Sequence, residues 1–300
     1  MTAISVPLTE AINKRTQNLD LRSLRDQVRL MNAEDHRVPE AVKAVAPRIA
    51  TAVARIAQAI CGGGRLIYVG AGTSGRLAVL DAAECPPTFG TAPELIQAVL
   101  AGGSRATAGA VEGAEDNEAA GAREMDARMV GAHDVVVGVA AGGTTPFVLG
   151  AVRRARARGA TTIALACTPE SPLEDACHLG IVPLVGPEVI AGSTRLKAGT
   201  AQKLVLNMLS TLTMVQLGKV YGNLMVDLRA SNEKLRRRAV RIVAAAAGVA
   251  EPEAVQALDT AGGSVPVAIV MLGAHLGPEA AKKRLSLMGG NVRRALAAAP

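Results

Sequence analysis

The chain has 300 residues, 49% of them hydrophobic, enough to bury a sizeable core. Two Phe, two Tyr and no Trp leave Ala, Val, Leu and Ile to fill that core, and they withhold the stacking platforms that single-stranded nucleic acid requires. A formal net charge of +7, from 33 Lys and Arg against 26 Asp and Glu, suits an anionic small ligand. The densest basic runs, 153–158 and 236–238, fall in helical patterns and read as solvated faces, so no nucleic-acid partner is expected. Cys61, Cys85, Cys167 and Cys177 form neither a C-x-x-C pair nor a zinc spacing; they read as free thiols in a reducing compartment. The N-terminal residues carry no signal-peptide apolar core, and no apolar run reaches the ~20 residues of a membrane span. A cytoplasmic protein with no metal site and no membrane contact is expected.

Residues 1–50 are polar and helical in pattern. Val38, Val42, Val45 and Ile49 recur at helical spacing and continue into Ile56 and Ile60, which predicts one amphipathic helix stopped at Gly62-Gly63-Gly64. From residue 65, candidate strands at 66–69, 96–100, 135–139, 162–166 and 181–184 alternate with helical patterns. Such alternation predicts an α/β fold, a parallel sheet with helices on both faces, over a domain spanning 51–240. Ligands of these sheets bind outside the carboxyl ends of the strands. Residues 241–300 are Ala-rich, interrupted by glycine pairs, and predict a small helical bundle without evident chemistry.

Chemistry gathers around residues 66–90, LIYVGAGTSGRLAVLDAAECPPTFG. A short apolar strand leads into Gly70-Ala71-Gly72-Thr73-Ser74-Gly75 and then a helix, an order that points backbone N–H groups and a helix dipole at an anion. The loop lacks the Lys of a P-loop and the G-x-G-x-x-G spacing, so it reads as a phosphate cradle in which Gly72, Thr73 and Ser74 are the candidate contacts. Glu84 falls where Pro86 and Pro87 are expected to stop the helix. A second strand and small-residue loop follows at 135–146, with Gly142, Gly143, Thr144 and Thr145 as further candidates. Between the loops, Glu112 and Glu115 lie in an acidic run that also suits a plain helix start. In the run 185–203, Ser193 and Thr194 suit an N-cap, but Arg195, Lys197 and Lys203 oppose the helix dipole there, which points to an anion or a subunit contact. The four histidines are scattered and read as structural, with His178 retained as a possible base.

These runs resemble the N-acetylmuramic acid 6-phosphate etherases, built on the sugar isomerase (SIS) domain. The run from Tyr68 to Gly90 follows the family pattern almost letter for letter. The same holds for E-G-A-E-D at 112–116, for V-G-P-E-V-I-A-G-S-T-R-L-K-A-G-T-A-Q-K at 185–203, and for shorter pieces at Thr9-Glu10, Ala33-Glu34-Asp35, 221–228 and 232–235. One loop departs: the family's A-A-S-G-R-T-P is here Ala140-Ala141-Gly142-Gly143-Thr144-Thr145-Pro146, so a Ser and an Arg are missing. Weaker phosphate affinity is expected.

The resemblance implies a SIS-type sheet with an N-terminal helical segment (1–50) and a C-terminal bundle (241–300). It implies a carbon–oxygen lyase that removes D-lactate from a phosphorylated amino sugar without metal or redox cofactor. Glu84 is then the acid that protonates the departing lactate, with its pKa raised by burial, and Glu115 the second carboxylate. Glu188, Ser193, Arg195 and Lys197 join the substrate contacts. Ten helical residues separate Ser74 from Glu84, about 15 Å, longer than a sugar ring; a homodimer with shared sites is expected. An aldose–ketose isomerase or a non-catalytic sugar-phosphate sensor on the same fold are the competing readings.

Overall fold

The computed structural model describes residues 7–228 and 233–298, so Asn232 of the 232–235 motif lies outside the described residues. The chain forms two compact units. The first runs to Ala83 and resumes over Glu94–Ser210; the second joins Glu84–Pro93 to the residues from Thr211 onward.

The first unit opens with helices α1 (Leu24–Asp35), α2 (Arg37–Ala44) and α3 (Ala46–Cys61). The single helix expected through Val45 is broken there: Pro47 falls in the first turn of α3, where its missing N–H costs nothing and its fixed φ suits a start. Next come β1 (Leu66–Gly70), α4 (Gly72–Phe89), β2 (Ile96–Leu100), α5 (Glu118–Ala127), β3 (Val135–Val139), α6 (Pro146–Ala157), β4 (Thr161–Leu165), α7 (Pro172–Ala176), β5 (Leu179–Ile181) and α8 (Lys197–Gln216). All strand pairs are parallel, in the order β2-β1-β3-β4-β5. β4 starts one residue earlier than expected. β5 ends at Ile181, and Pro183, which has no N–H to give a ladder, follows closely.

Strands buried on both faces explain the unbroken apolar runs of β1 and β3. Ile67, Val69 and Val136 pack with Phe147, Val148 and Val152 of α6 and Met125 of α5. Tyr68 donates to Asp81 of α4 at 3.0 Å, and Asn207 and Ser210 of α8 donate to the same carboxylate at 2.9 and 3.1 Å. α4 runs on through Pro86 and Pro87 to Phe89, contrary to expectation. Gly90 N–H still closes on the Pro86 carbonyl at 3.0 Å, while the two prolines leave the carbonyls of Ala82 and Ala83 without their helical donors.

The second unit holds α9 (Glu233–Ala247), α10 (Glu251–Thr260), α11 (Val265–Ala274), α12 (Pro278–Leu287) and α13 (Val292–Ala297). These helices repeat at an offset of 27 residues, as Gly263 and Gly290 show. Val240, Ile242 and Val243 recur as Val267, Ile269 and Val270, and the pair Gly262-Gly263 recurs as Gly289-Gly290 with φ of 63° and 81° against 64° and 80°. Gly263 and Gly290 each donate to the Leu five residues earlier at 2.8 Å. Ala254, Leu258, Val265 and Ala268 are buried, as are Ala281, Leu285, Val292 and Ala295. Each unit of such a repeat buries its apolar face only against its neighbours.

Candidate active site

Strand order fixes where a ligand goes. From β1 the chain steps outward to β2, then returns past β1 to β3. Crossovers are right-handed, so the loops after β1 and β3 part company at this switch point and leave a crevice between them. They are the two glycine-rich loops of the sequence.

The first loop is very short. α4 begins at Gly72, whose φ of 51° favours glycine. A Cβ on Gly75 would lie 2.7 Å from the Gly70 carbonyl oxygen and overlap Leu100, so the helix rests directly on the strand end. Thr73 and Ser74 therefore stand in the first turn, among N–H groups with no intrahelical partner. Ser74 Oγ donates to Gln202 Oε1 at 2.9 Å, and Gly199 lies beside Thr73, whose methyl would be 3.6 Å from a Cβ placed there. The start of α8 is thus brought against the first loop. Gln202, which sequence reasoning passed over, is fully buried with its Nε2 unpartnered.

A cavity of about 300 Å³ joins Gly72, Thr73 and Arg76 to Gly109, Glu112 and Glu115. Arg76 donates to the carbonyls of Ala106 and Gly109, both at 2.9 Å, and so braces the far wall. Glu115 is exposed at the cavity, and its carbonyl accepts from Phe147 N–H at 2.9 Å in the first turn of α6. This bond ties the carboxylate segment to the second loop. There Gly143, with φ of 71°, is pressed against Ser171. Thr144 is exposed, and Thr145 begins α6 without a side-chain cap.

The 185–203 run is largely spoken for within the chain. Glu188 is fully buried and accepts from the N–H groups of Lys197 and Ala198 at 3.0 and 2.9 Å. It, and not Ser193 or Thr194, caps α8; burial pushes its carboxyl above the usual range against those two bonds. Lys197 is fully buried and donates to Glu34 at 2.6 Å. Glu34 also accepts from Arg15 and from Asn13 at 2.9 Å. The Arg15 bond is the largest influence holding the Glu34 carboxyl down to about 2, ahead of the opposing effect of burial and of the Lys197 and Asn13 bonds. The anion opposite Lys197 is thus a carboxylate of the chain's own N-terminal segment. Ser193 is half-buried in the preceding turn, and Arg195 is exposed.

Glu84 is exposed on α4, so the burial expected to raise its pKa is not found within one chain. It shares a helix face with Leu80, four residues earlier and 51% exposed. His178 accepts from Thr162 N–H at 3.1 Å near the start of β4, the sheet edge opposite the two loops, and has no place in the crevice. Among the described residues no cluster of His, Cys, Asp and Glu could hold a metal. Burial pushes the Cys167 and Cys177 thiols up to about 12.

A parallel sheet in this order, with glycine-rich loops at its switch point, defines a SIS-domain protein. Residues 114–212 match the SIS domain, and residues 48–156 match the glucokinase regulatory protein N-terminal SIS domain. A phosphoheptose isomerase from Francisella tularensis shares the fold with a TM-score of 0.52 and 18% identity, over 65% of this chain and 100% of that one. The chain is 55% identical to an N-acetylmuramic acid 6-phosphate etherase of Rubrobacter xylanophilus and 51% identical to one of Pectobacterium atrosepticum. Each match covers 96% of this chain and 95% of the relative. The chain belongs to the N-acetylmuramic acid 6-phosphate etherase family.

Proposed function

We propose that the chain cleaves the D-lactyl ether of N-acetylmuramic acid 6-phosphate, giving N-acetylglucosamine 6-phosphate and D-lactate, as a carbon–oxygen lyase of amino-sugar recycling. The observation that carries this reading is the cavity joining the phosphate-cradle residues Gly72 and Thr73 to Glu115, beyond the carboxyl ends of β1 and β2. In the open-chain sugar, C1 is an aldehyde and the C2 proton is acidic. A base takes that proton, and electrons flow to form the C2=C3 bond. The C3–O bond breaks, and Glu84 protonates the departing lactate. Water then adds at C3 with Glu84 as base, and a proton returns to C2. Glu115 is the second carboxylate at the reacting centre, and the turns at Gly72–Ser74 and Gly142–Thr145 hold the phosphate. Of the run at 185–203, Ser193 and exposed Arg195 face substrate, while Glu188 and Lys197 position that turn from inside. No residue acts here through a metal or redox group. Free thiols and a substrate bearing phosphate fit a cytoplasmic enzyme.

Glu84 lies about 15 Å along α4 from Ser74. It is exposed on a face that also shows Leu80, and Leu21, Leu24 and Val28 expose a further apolar stripe on and before α1. Exposed apolar surface of this kind is covered in assemblies. We therefore place Glu84 at the site of a second copy in a homodimer. Mixing two inactive variants, Glu84→Gln and Glu115→Gln, after reversible dissociation tests the reaction and the sharing together. Mixed dimers carry one site with both glutamates, so lactate release should return to about a quarter of wild type. A site confined to one chain gives no recovery. The acid role predicts that Glu84→Gln still exchanges the C2 proton with solvent while releasing no lactate; undiminished release removes it. Isomer formation without lactate would favour the isomerase reading.

A further inference from the structure

We propose that the hydroxyl of Thr9, on the N-terminal segment, is a phosphate ligand of the second loop, beside position 142 where the sequence lacks a Ser. This rests on the reading that the turn at Gly142–Thr145 receives the sugar's phosphate.

Thr9 is only 2% exposed, and its Oγ1 has no hydrogen-bond partner. A buried hydroxyl left unpaired is costly, so its position needs a reason. Its backbone is fixed: the Thr9 carbonyl accepts from Gly192 N–H at 3.3 Å. The segment that follows is anchored by Asn13, which donates to the Pro187 carbonyl at 3.1 Å, and by Thr16, which donates to Val189 at 2.9 Å. The hydroxyl points at the second loop. A Cβ placed on Gly142 would lie 3.7 Å from Thr9 Oγ1 and 3.7 Å from Thr144 Oγ1. Two hydroxyls thus converge on the space beside Gly142, at the N-terminus of the twelve-residue helix α6.

That terminus offers what an anion needs. Thr145 makes no side-chain cap and no acidic residue stands in the first turn; Pro146 has no N–H and Phe147 N–H is held by the Glu115 carbonyl, so the backbone donors an anion could use are those of the loop before the helix, at Gly142, Thr144 and Thr145. A phosphate oxygen seated over Gly142 would accept from Thr9, from Thr144 and from the backbone together. Thr168 Oγ1, just beyond the end of β4, is a further buried hydroxyl without a partner at the same sheet edge. The N-terminal segment is therefore part of the binding site and not only a brace.

The test compares wild type with Thr9→Val, Thr9→Ser, Gly142→Ser and the Thr9→Val/Gly142→Ser double variant. The readouts are kcat and KM for N-acetylmuramic acid 6-phosphate, the competitive inhibition constant of inorganic phosphate, and the thermal midpoint. Loss of one hydrogen bond to a charged group predicts that Thr9→Val raises KM and the phosphate inhibition constant about tenfold to a hundredfold, with kcat little changed. Thr9→Ser should stay within about threefold of wild type, because the hydroxyl is kept. Adding Ser at 142 should shrink the Thr9→Val effect. If Thr9→Val fails to fold, Thr9→Ala replaces it. A folded Thr9→Val with wild-type KM and phosphate inhibition overturns the proposal while leaving the loop's phosphate role intact. Phosphate that fails to compete in wild type overturns both.

Discussion

Exchanging Glu34 for Gln would strand the most deeply buried cation of the chain's first unit. Lys197 is fully buried, and Glu34 is its ion-pair partner at 2.6 Å. Removing one member of a buried pair costs about 3–5 kcal/mol, because the other charge remains without compensation. The pH dependence gives a similar figure. Glu34 is held down to about 2 from an ordinary 4.5, a difference worth about 3 kcal/mol. Its folded pKa is depressed, so this stability is fully present above pH 4.5 and is lost as pH falls from 4.5 toward 2. Glu34→Gln should lower the thermal midpoint at pH 7 by roughly 6–20 °C, followed by circular dichroism. It should also lose this share of the acid sensitivity. Glu34→Gln with Lys197→Met should recover most of the loss, since an apolar pair of similar volume replaces the ions. A Glu34→Gln protein within about 1 kcal/mol of wild type, or no gain from the second change, refutes the reasoning.

Gly75→Ala forces a methyl against the Gly70 carbonyl and Leu100; it should cost about 1–3 kcal/mol in urea unfolding and raise KM by displacing the first turn of α4. Iodoacetamide at pH 8 should label exposed Cys61 in the native protein and leave Cys167 and Cys177 unmodified by mass spectrometry, since those thiols are held near 12. Gly263→Ala and Gly290→Ala, at equivalent positions with φ of 81° and 80°, should each cost about 1–2 kcal/mol, and the two costs should match; unequal losses would contradict the repeat.

Local pattern carried the sheet. Runs such as Val135–Val139 are long enough and β-branched enough to announce a buried strand, and the glycine loops stood where the chain later turned. The candidate pocket was half legible: Gly72, Thr73 and Glu115 meet in one cavity, although nothing in their spacing shows it, because the contact is made by the fold. Three features escaped. The Lys197–Glu34 pair joins residues 163 positions apart, and its charges read in isolation as a ligand site. Pro86 and Pro87 read as a stop, yet this close to a helix end only two intrahelical bonds are lost, and the helix runs on to Phe89. Thr9 looked ordinary because an unpaired hydroxyl is visible only after the chain has folded around it.

The 27-residue periodicity of the C-terminal helices sets a quantum on how this end of the molecule can change. Each helix there packs against neighbours in a fixed register, with glycine pairs resetting direction at matching points. Adding one whole period keeps apolar faces opposite one another, whereas removing one strips the other of the neighbour it packs against. Any other increment rotates Leu258 or Leu285 out of line and opens the core. Insertions into this tail are therefore accommodated in whole steps.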